Sequence, residues 1–242
     1  MTMRSPVIVA VIPALDEEPA IGGVVQRLIQ TLPALDGVIV VDNGSTDATA
    51  ARAAAAGARV VFEPVRGYGR ACRAGVEAAG NADIILLLDG DGADNAGDLA
   101  AVLHPVLSGA AELSVGVRGA GRRERGAMTP QQVLGNRLAS AIIRRRYRLA
   151  VTDPGPLRAI RRSELIRMEM SEMTYGWTVE MTAKAARMGL RYVEVPVTYR
   201  VRLGRSKVGG TLRGSVGAAA AILGTLWRLR DWEPAPPAAA AR

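Results

Sequence analysis

Asp89 and Asp91 stand one residue apart at the end of five consecutive aliphatic residues, Ile84 to Leu88. An apolar strand that runs into acids with no polar spacer delivers both carboxylates to the rim of a sheet, where they can face a divalent cation bound to a diphosphate. Such oxygen ligands suit Mg²⁺ or Mn²⁺, and the cation would act as a Lewis acid that draws charge off a departing diphosphate. Gly90 between them lets the backbone approach a ligand closely. A solvated turn is the competing reading of an isolated Asp-x-Asp, and Asp94 is a third, weaker ligand candidate.

Two more polar clusters follow apolar runs in the same way. Pro13-Ala14-Leu15-Asp16-Glu17-Glu18 comes after Val7 to Ile12, and Asp42-Asn43-Gly44-Ser45-Thr46-Asp47 comes after Val38 to Val41. Asp42 is placed to accept hydrogen bonds from a base or ribose while Ser45 or Thr46 caps the next helix; a cap without a ligand is the alternative. Arg66-Gly67-Tyr68-Gly69-Arg70-Ala71 sets glycines ahead of a helical stretch, where amides can meet phosphate. Arg202-Leu203-Gly204-Arg205-Ser206-Lys207 holds one of only two lysines, the other being Lys184, among 31 basic residues. A compact ammonium is wanted there.

These clusters need a scaffold that gathers strand ends on one rim. Val7 to Ile12, Val38 to Val41, Arg59 to Phe62 and Ile84 to Leu88 read as buried parallel strands. Helices are expected over Ala20 to Leu32, Ala48 to Ala56, Tyr68 to Ala79 and Gly97 to Leu107. That alternation predicts an α/β fold with a Rossmann-like, doubly wound mixed sheet, whose ligands bind beyond the carboxyl ends of the strands. After Ser114 the alternation weakens. A Gly/Arg loop (Gly116 to Ala127), helices over Gln131 to Arg146 and Thr178 to Arg187, and an edge strand over Tyr192 to Arg200 suggest the half that receives the acceptor. Gly209 to Arg230 reads as a basic amphipathic helix. One domain over 1–232 is expected, with a donor half to about 115, an acceptor half from about 116, and a disordered Ala/Pro tail over 233–242.

Composition removes several function classes. One cysteine, Cys72, and one histidine, His104, permit neither an internal disulfide nor a Cys/His zinc site, and both are assigned to packing. The apolar tract from Val216 to Trp227 is too short to span a bilayer, and the N-terminus lacks the form of a signal peptide. These features predict a cytoplasmic protein. The net charge of +8 is concentrated over Arg118 to Arg148 and Arg200 to Arg230, which favours phosphates, acidic lipids or nucleic acid; arginine-rich coding bias would produce part of it with no partner. With aromatics at 4% there is no stacking platform for nucleic acid, which is therefore not expected as a partner.

In order and spacing, Ile12 to Glu18, Val41 to Asp47 and Leu88-Asp89-Gly90-Asp91 resemble the three ordered motifs of the family 2 glycosyltransferases. Similarity to the dolichol-phosphate mannose synthase-like members continues through Arg66 to Ala71, Asp153-Pro154-Gly155-Pro156-Leu157-Arg158, Trp177-Thr178-Val179-Glu180-Met181 and Arg202 to Lys207, from about Val7 to Trp227. The resemblance implies a GT-A fold and a GDP- or UDP-linked sugar donor held by Pro13, Ala14, Leu15, Glu17, Asp42, Gly67, Asp89 and Gly90. It further implies a metal on Asp89 and Asp91, and inversion at the anomeric carbon. Arg158, Arg202, Ser206 and Lys207 are then candidates for a phosphate or acceptor clamp, with Asp91 central to catalysis. Glu180 is the expected base if the acceptor hydroxyl needs one, with Asp153 as the alternative. Asn43 departs from the pattern, since many members carry an acid there.

The expected reaction is transfer of a sugar from its nucleoside diphosphate to a polyprenyl phosphate or other membrane-proximal acceptor, at the inner face of the membrane, with the C-terminal helix on lipid; a homodimer is compatible with this. A soluble acceptor is the alternative, favoured by the Pro/Gly departures over Asp153 to Leu157. A sugar-phosphate nucleotidyltransferase is disfavoured because no Gly-rich activating loop follows the first strand.

Overall fold

The computed structural model describes residues 4–119, 121–204 and 223–234. Seven strands form one mixed sheet: β1 (Ile8–Ala14), β2 (Gly37–Asp42), β3 (Arg59–Phe62), β4 (Ile84–Leu87), β5 (Leu113–Val117), β6 (Arg158–Arg161) and β7 (Tyr192–Pro196), in the order β3-β2-β1-β4-β6-β5-β7. The first four strands are mutually parallel, β6 runs antiparallel to both β4 and β5, and β7 is parallel to β5. Parallel strands must be joined by crossovers, and α1 (Glu18–Thr31), α2 (Thr49–Ala55) and α3 (Tyr68–Ala78) supply them in the donor half. This is a mixed, doubly wound sheet, as the resemblance implies.

Helices cover both faces of the central strands, so consecutive residues of β1, β4 and β5 are buried, whereas β3, expected as a buried strand, lies at the sheet edge with Arg59 and Phe62 exposed. One side of the sheet, with Ile8, Ala10 and Ile12, packs on Ile21, Val25 and Leu28 of α1 and on Val102, Leu103 and Val106 of α4 (Leu99–Leu107). The other, with Val9, Val11, Ile85 and Leu87, packs on Cys72 and Val76 of α3 and on Trp177 and Met181 of α7 (Trp177–Arg187). Each fully buried aliphatic contributes about 1.5–3 kcal/mol by removal from water. Gly75 sets the depth of α3, since a Cβ there would lie 2.3 Å from Val11 Cγ1. Cys72 is buried in this layer, as the packing assignment requires, and burial pushes its thiol pKa up.

Pro13 sits inside β1 without cost. Pairing of β1 with β4 ends at Val11, and the Ala14 carbonyl faces the β2 side, where it accepts from Asn43. Proline's missing N–H thus falls on the side that has lost its ladder partner.

The acceptor half adds elements with no sequence signal strong enough to predict: the short strands β5 and β6, and α6 (Arg162–Arg167) behind them. The expected helix over Gln131 to Arg146 is α5 (Pro130–Tyr147), opened by a Thr129/Gln132 capping box. The expected strand over Tyr192 to Arg200 ends at Pro196; beyond it, Tyr199 makes isolated bridges to Asp94 and Arg123. Of the basic C-terminal helix, residues 223–228 are helical and end in a 3-10 turn, Leu229–Asp231; its beginning lies outside the described residues. Among the described residues no helix is long and apolar enough to cross a membrane.

Candidate functional site

The ends of β1, β2 and β4 meet on one rim, and hydrogen bonds sew the first two motifs together. Asp16 accepts from the Thr46 amide at 2.7 Å and its own amide donates to Ser45 Oγ at 3.0 Å; the Glu17 amide donates to Thr49 Oγ1 at 2.8 Å. Asp42 is buried and accepts from the Ser45 amide at 2.9 Å, closing the turn that starts the second motif. Pro13, Ala14 and Leu15 form the floor of this rim at the end of β1.

Asn43 has more to do than its departure from the family pattern suggests. Its amide nitrogen donates to the carbonyls of Glu63 (3.0 Å) and Val65 (2.8 Å), and its oxygen accepts from the Gly67 amide (2.7 Å). A carboxylate could not donate to either carbonyl. The Gly67 amide, expected on donor phosphates, is therefore committed to Asn43. The glycines of this segment instead serve packing: a Cβ on Gly67 would lie 2.4 Å from the Met173 carbonyl oxygen, and one on Gly69 would lie 2.2 Å from that of Glu172. Gly90 likewise faces inward, its would-be Cβ 3.1 Å from Ile21 Cδ1 and 3.3 Å from Ile12 Cγ2.

Asp89 and Asp91 share the rim with Asp94. Tyr68 donates to Asp89 Oδ1 at 3.1 Å, and Asp91 Oδ1 accepts from the Ala93 amide at 2.9 Å. Burial, then the charge of Asp91, raises the Asp89 pKa to about 7, against the opposing pull of Arg202, Tyr68 and Arg118. Burial, then Asp89 and Asp91, raises Asp94 to about 8, against the opposing pull of Arg118 and of a hydrogen bond from the Asp89 backbone. Three carboxyls crowded on a rim only partly open to water create a demand for positive charge. A divalent cation with oxygen ligands fits that demand, with Asp89 and Asp91 as its holders. Among the described residues no three acidic, histidine or cysteine side chains are assembled as a complete ligand set, so the remaining ligands would come from the donor.

Arg202 meets part of the demand. Its Nη2 lies 3.0 Å from Glu17 Oε1 and 3.1 Å from Asp91 Oδ2, tying the first motif to the third. The Leu203 amide to Asp91 O (2.9 Å) and the Arg200 amide to Ala93 O (2.8 Å) fasten the segment after β7 across the rim. Ser206 and Lys207, the other two members of the expected clamp, lie outside the described residues.

Three expected site residues have other employment. Glu180 is 1% exposed; it accepts from the Ser171 hydroxyl and amide and from the Glu172 amide, and pairs with Lys184 Nζ at 2.8 Å. With its oxygens filled it has no lone pair for an acceptor proton; it pins the 171–173 loop on which Gly67 and Gly69 rest. Asp153 is held bidentately by Arg118 (2.8 and 2.7 Å) and by Asn136 (3.1 Å). Burial alone would raise its pKa, but the Arg118 bonds and charge prevail and lower it, which makes it a poor base. Arg158 is 0% exposed, bonded to the Gly155 carbonyl and Thr182 Oγ1, beneath the site and out of reach of an acceptor phosphate.

Arg118, Tyr199 and Tyr68 belong to the site without having been singled out. The Arg118 guanidinium lies 5.1 Å from the Tyr199 ring centroid, and its charge lowers the pKa of both Asp89 and Asp94. An arginine directly after the Leu113–Val117 run, at the same relative position as the acids after β4, was the available signal.

The family model described as "Glycosyl transferase family 2" matches residues 9–168 of the chain. The chain belongs to glycosyltransferase family 2. An uncharacterized glycosyltransferase of Mycobacterium tuberculosis is 39% identical over 216 residues, covering 88% of this chain and 95% of the relative. Glycosyltransferase AglJ of Haloferax volcanii is 35% identical over 68% of this chain and 54% of its own length. Among solved structures, glucosyl-3-phosphoglycerate synthase from Mycobacterium tuberculosis, in complex with Mn²⁺, uridine diphosphate and phosphoglyceric acid, superposes with a TM-score of 0.70 at 27% identity, covering 93% of this chain and 79% of that one. The structural neighbours of this family 2 enzyme include phosphoglycerate-binding synthases, and the dolichol-phosphate mannose synthase-like subtype that its motifs resemble is not shown by them.

Proposed function

We propose that the chain transfers a sugar from a UDP-linked donor to a small soluble acceptor bearing a negative charge, with Mn²⁺ or Mg²⁺ held by Asp89 and Asp91. The observation that carries this reading is the crowding of Asp89, Asp91 and Asp94 on the rim, with Asp89 raised to about 7 and Asp94 to about 8. The synthase with Mn²⁺, uridine diphosphate and phosphoglyceric acid supports the choice of metal, base and acceptor class. When bound, the ion would supply Lewis acidity toward the departing diphosphate.

The chain's own residues divide the remaining work. Asp42 and the sewn turn of the first two motifs receive the nucleoside. Arg202 is placed to exchange its contact with Asp91 for a diphosphate oxygen, a charge-assisted bond to a site already partly closed. Arg118, fixed by Asp153, holds positive charge behind the carboxylates. Inversion rests on the family resemblance alone and needs a base other than Glu180 or Asp153; the anomeric configuration of the product decides it. A polyprenyl phosphate acceptor rests on the similarity of Arg66 to Ala71 and Arg202 to Lys207.

Release of UDP or GDP from their sugars, measured with 3-phosphoglycerate or a polyprenyl phosphate as acceptor, tests the proposal. UDP-sugar turnover that requires the soluble acceptor and stops in excess chelator is expected. Turnover only with the lipid phosphate, or undiminished turnover in chelator, overturns it.

A further inference from the structure

Away from the rim, the C-terminal ends of α5 and α7 border a shallow, solvent-open recess of about 280 Å³ lined by Arg146, Tyr147, Arg148, Ala186 and Arg187. Arg146 and Arg187 both donate from Nη2 to the Arg230 carbonyl, the former at 3.0 Å, which draws two guanidiniums together. The Arg187 guanidinium also lies 5.7 Å from the Tyr147 ring centroid. Among the described residues no carboxylate pairs with Arg146, Arg148 or Arg187, while Glu180 pairs with Lys184, Glu172 with Arg228 and Asp231 with Arg230. On the wall of the recess Tyr147 Oη accepts from Arg187, which leaves the phenol's own proton without an acceptor among the described residues.

Cations at helix C-termini are ordinarily explained by the helix dipole, and α5 and α7 both end in basic residues. The dipole accounts for their presence but not for their convergence without a countercharge, nor for a phenol proton left without an acceptor at about 1–3 kcal/mol. A single water, at roughly 30 Å³, would not fill the space. By contrast, the larger recess between α1 and α2, about 490 Å³, contains one acid and one arginine, Glu18 and Arg52, already paired with each other.

We propose that the α5/α7 recess is a second anion site that takes a phosphate group, its oxygens bridging Arg148 and Arg187 and accepting from Tyr147 Oη. Phosphate matches the forked guanidinium donors and supplies the missing negative charge. The phosphate belongs either to a free phosphorylated metabolite or to a lipid headgroup. The second source is represented on the adjoining surface by Trp227, 66% exposed, with the Arg230 guanidinium 5.0 Å over its ring.

The full chain is titrated with inorganic phosphate by calorimetry at constant ionic strength, and separately sedimented with phosphatidylglycerol-containing or purely phosphatidylcholine vesicles. Arg148→Glu, at an exposed position, and Arg187→Gln are compared with wild type, and a circular dichroism melt checks that each is folded. Saturable phosphate binding weakened by about tenfold or more in both variants supports the site and a soluble source. Sedimentation with the anionic vesicles alone, lost in both variants, supports the site and a headgroup source. Wild-type behaviour in Arg148→Glu on both arms, or no binding of either probe by the wild-type chain, overturns the proposal.

Discussion

The two halves of the sheet use charge in opposite ways. In the donor half, acids stand at the ends of parallel strands and are left crowded: Asp89, Asp91 and Asp94 repel one another, which raises Asp89 and Asp94 despite the opposing arginines. In the acceptor half every acid that resembles a catalyst is filled: Asp153 by Arg118 and Asn136, Glu180 by Lys184 and two backbone amides. Electrostatic frustration marks a place kept for a ligand, whereas electrostatic satisfaction marks a structural strut. A carboxylate's environment, and not its presence at a family motif, therefore decides which task it has.

The comparison is sharpened most by exchanging single carboxyl groups for amides on either side of it. Asp91→Asn should lower kcat/KM by about 10²–10³ while leaving the melting temperature close to wild type, since Arg202 keeps its pairing with Glu17 and loss of the Asp91 charge relieves its repulsion of Asp89. Steady-state rates and a Mn²⁺ thermal-shift titration check both parts. A fully active Asp91→Asn enzyme would break the comparison at its strongest point.

Asp153→Asn and Glu180→Gln should do the reverse. Each leaves a buried cation, Arg118 or Lys184, without its countercharge, at a cost of about 3–5 kcal/mol of stability. Chemical denaturation midpoints should fall accordingly, while kcat measured on the folded fraction stays within a few-fold of wild type. If either variant melts normally and loses turnover, its carboxylate is catalytic and the acceptor half has been misread.

Why the donor half was legible follows from the same contrast. Its motifs are contiguous, each occupying the turn after a single apolar strand, so a run such as Ile84 to Leu88 announces Asp89 and Asp91 directly. The sewing between motifs joins residues about one crossover apart, as in Asp16 with Thr46. In the acceptor half the deciding contacts join Arg118 to Asp153 and Arg202 to Glu17 and Asp91 across long stretches of chain. No local pattern encodes such a pairing. Strands β5 and β6 are short and were hidden for the same reason, and β6 carries Arg158, whose sequence neighbours Asp153 and Pro154 gave it the look of a site residue although it is wholly buried. Asn43 was misjudged because a change from acid to amide looks like loss until the two carbonyls it serves are seen.

The smallest expected effect concerns protons on the crowded side. The folded-state pKa values of Asp89 and Asp94, about 7 and about 8, lie above the ordinary carboxyl value of 3.8. Between those limits the folded chain holds more protons than the unfolded chain, so the stability these groups contribute is full below pH 3.8 and is lost as pH rises through about 7 to 8. A bound cation removes that loss and competes with the same protons. Mn²⁺ affinity should therefore increase by up to about tenfold per pH unit below 7 and level off above 8. The Mn²⁺-induced rise in melting temperature should be larger at pH 8 than at pH 6, and Asp94→Asn should make the metal-free melting curve flatter over this range. A metal-free melting temperature that is flat from pH 5 to 9, with a Mn²⁺ shift independent of pH, would show that these carboxyls are already neutralised and that the donor half is as satisfied as its counterpart.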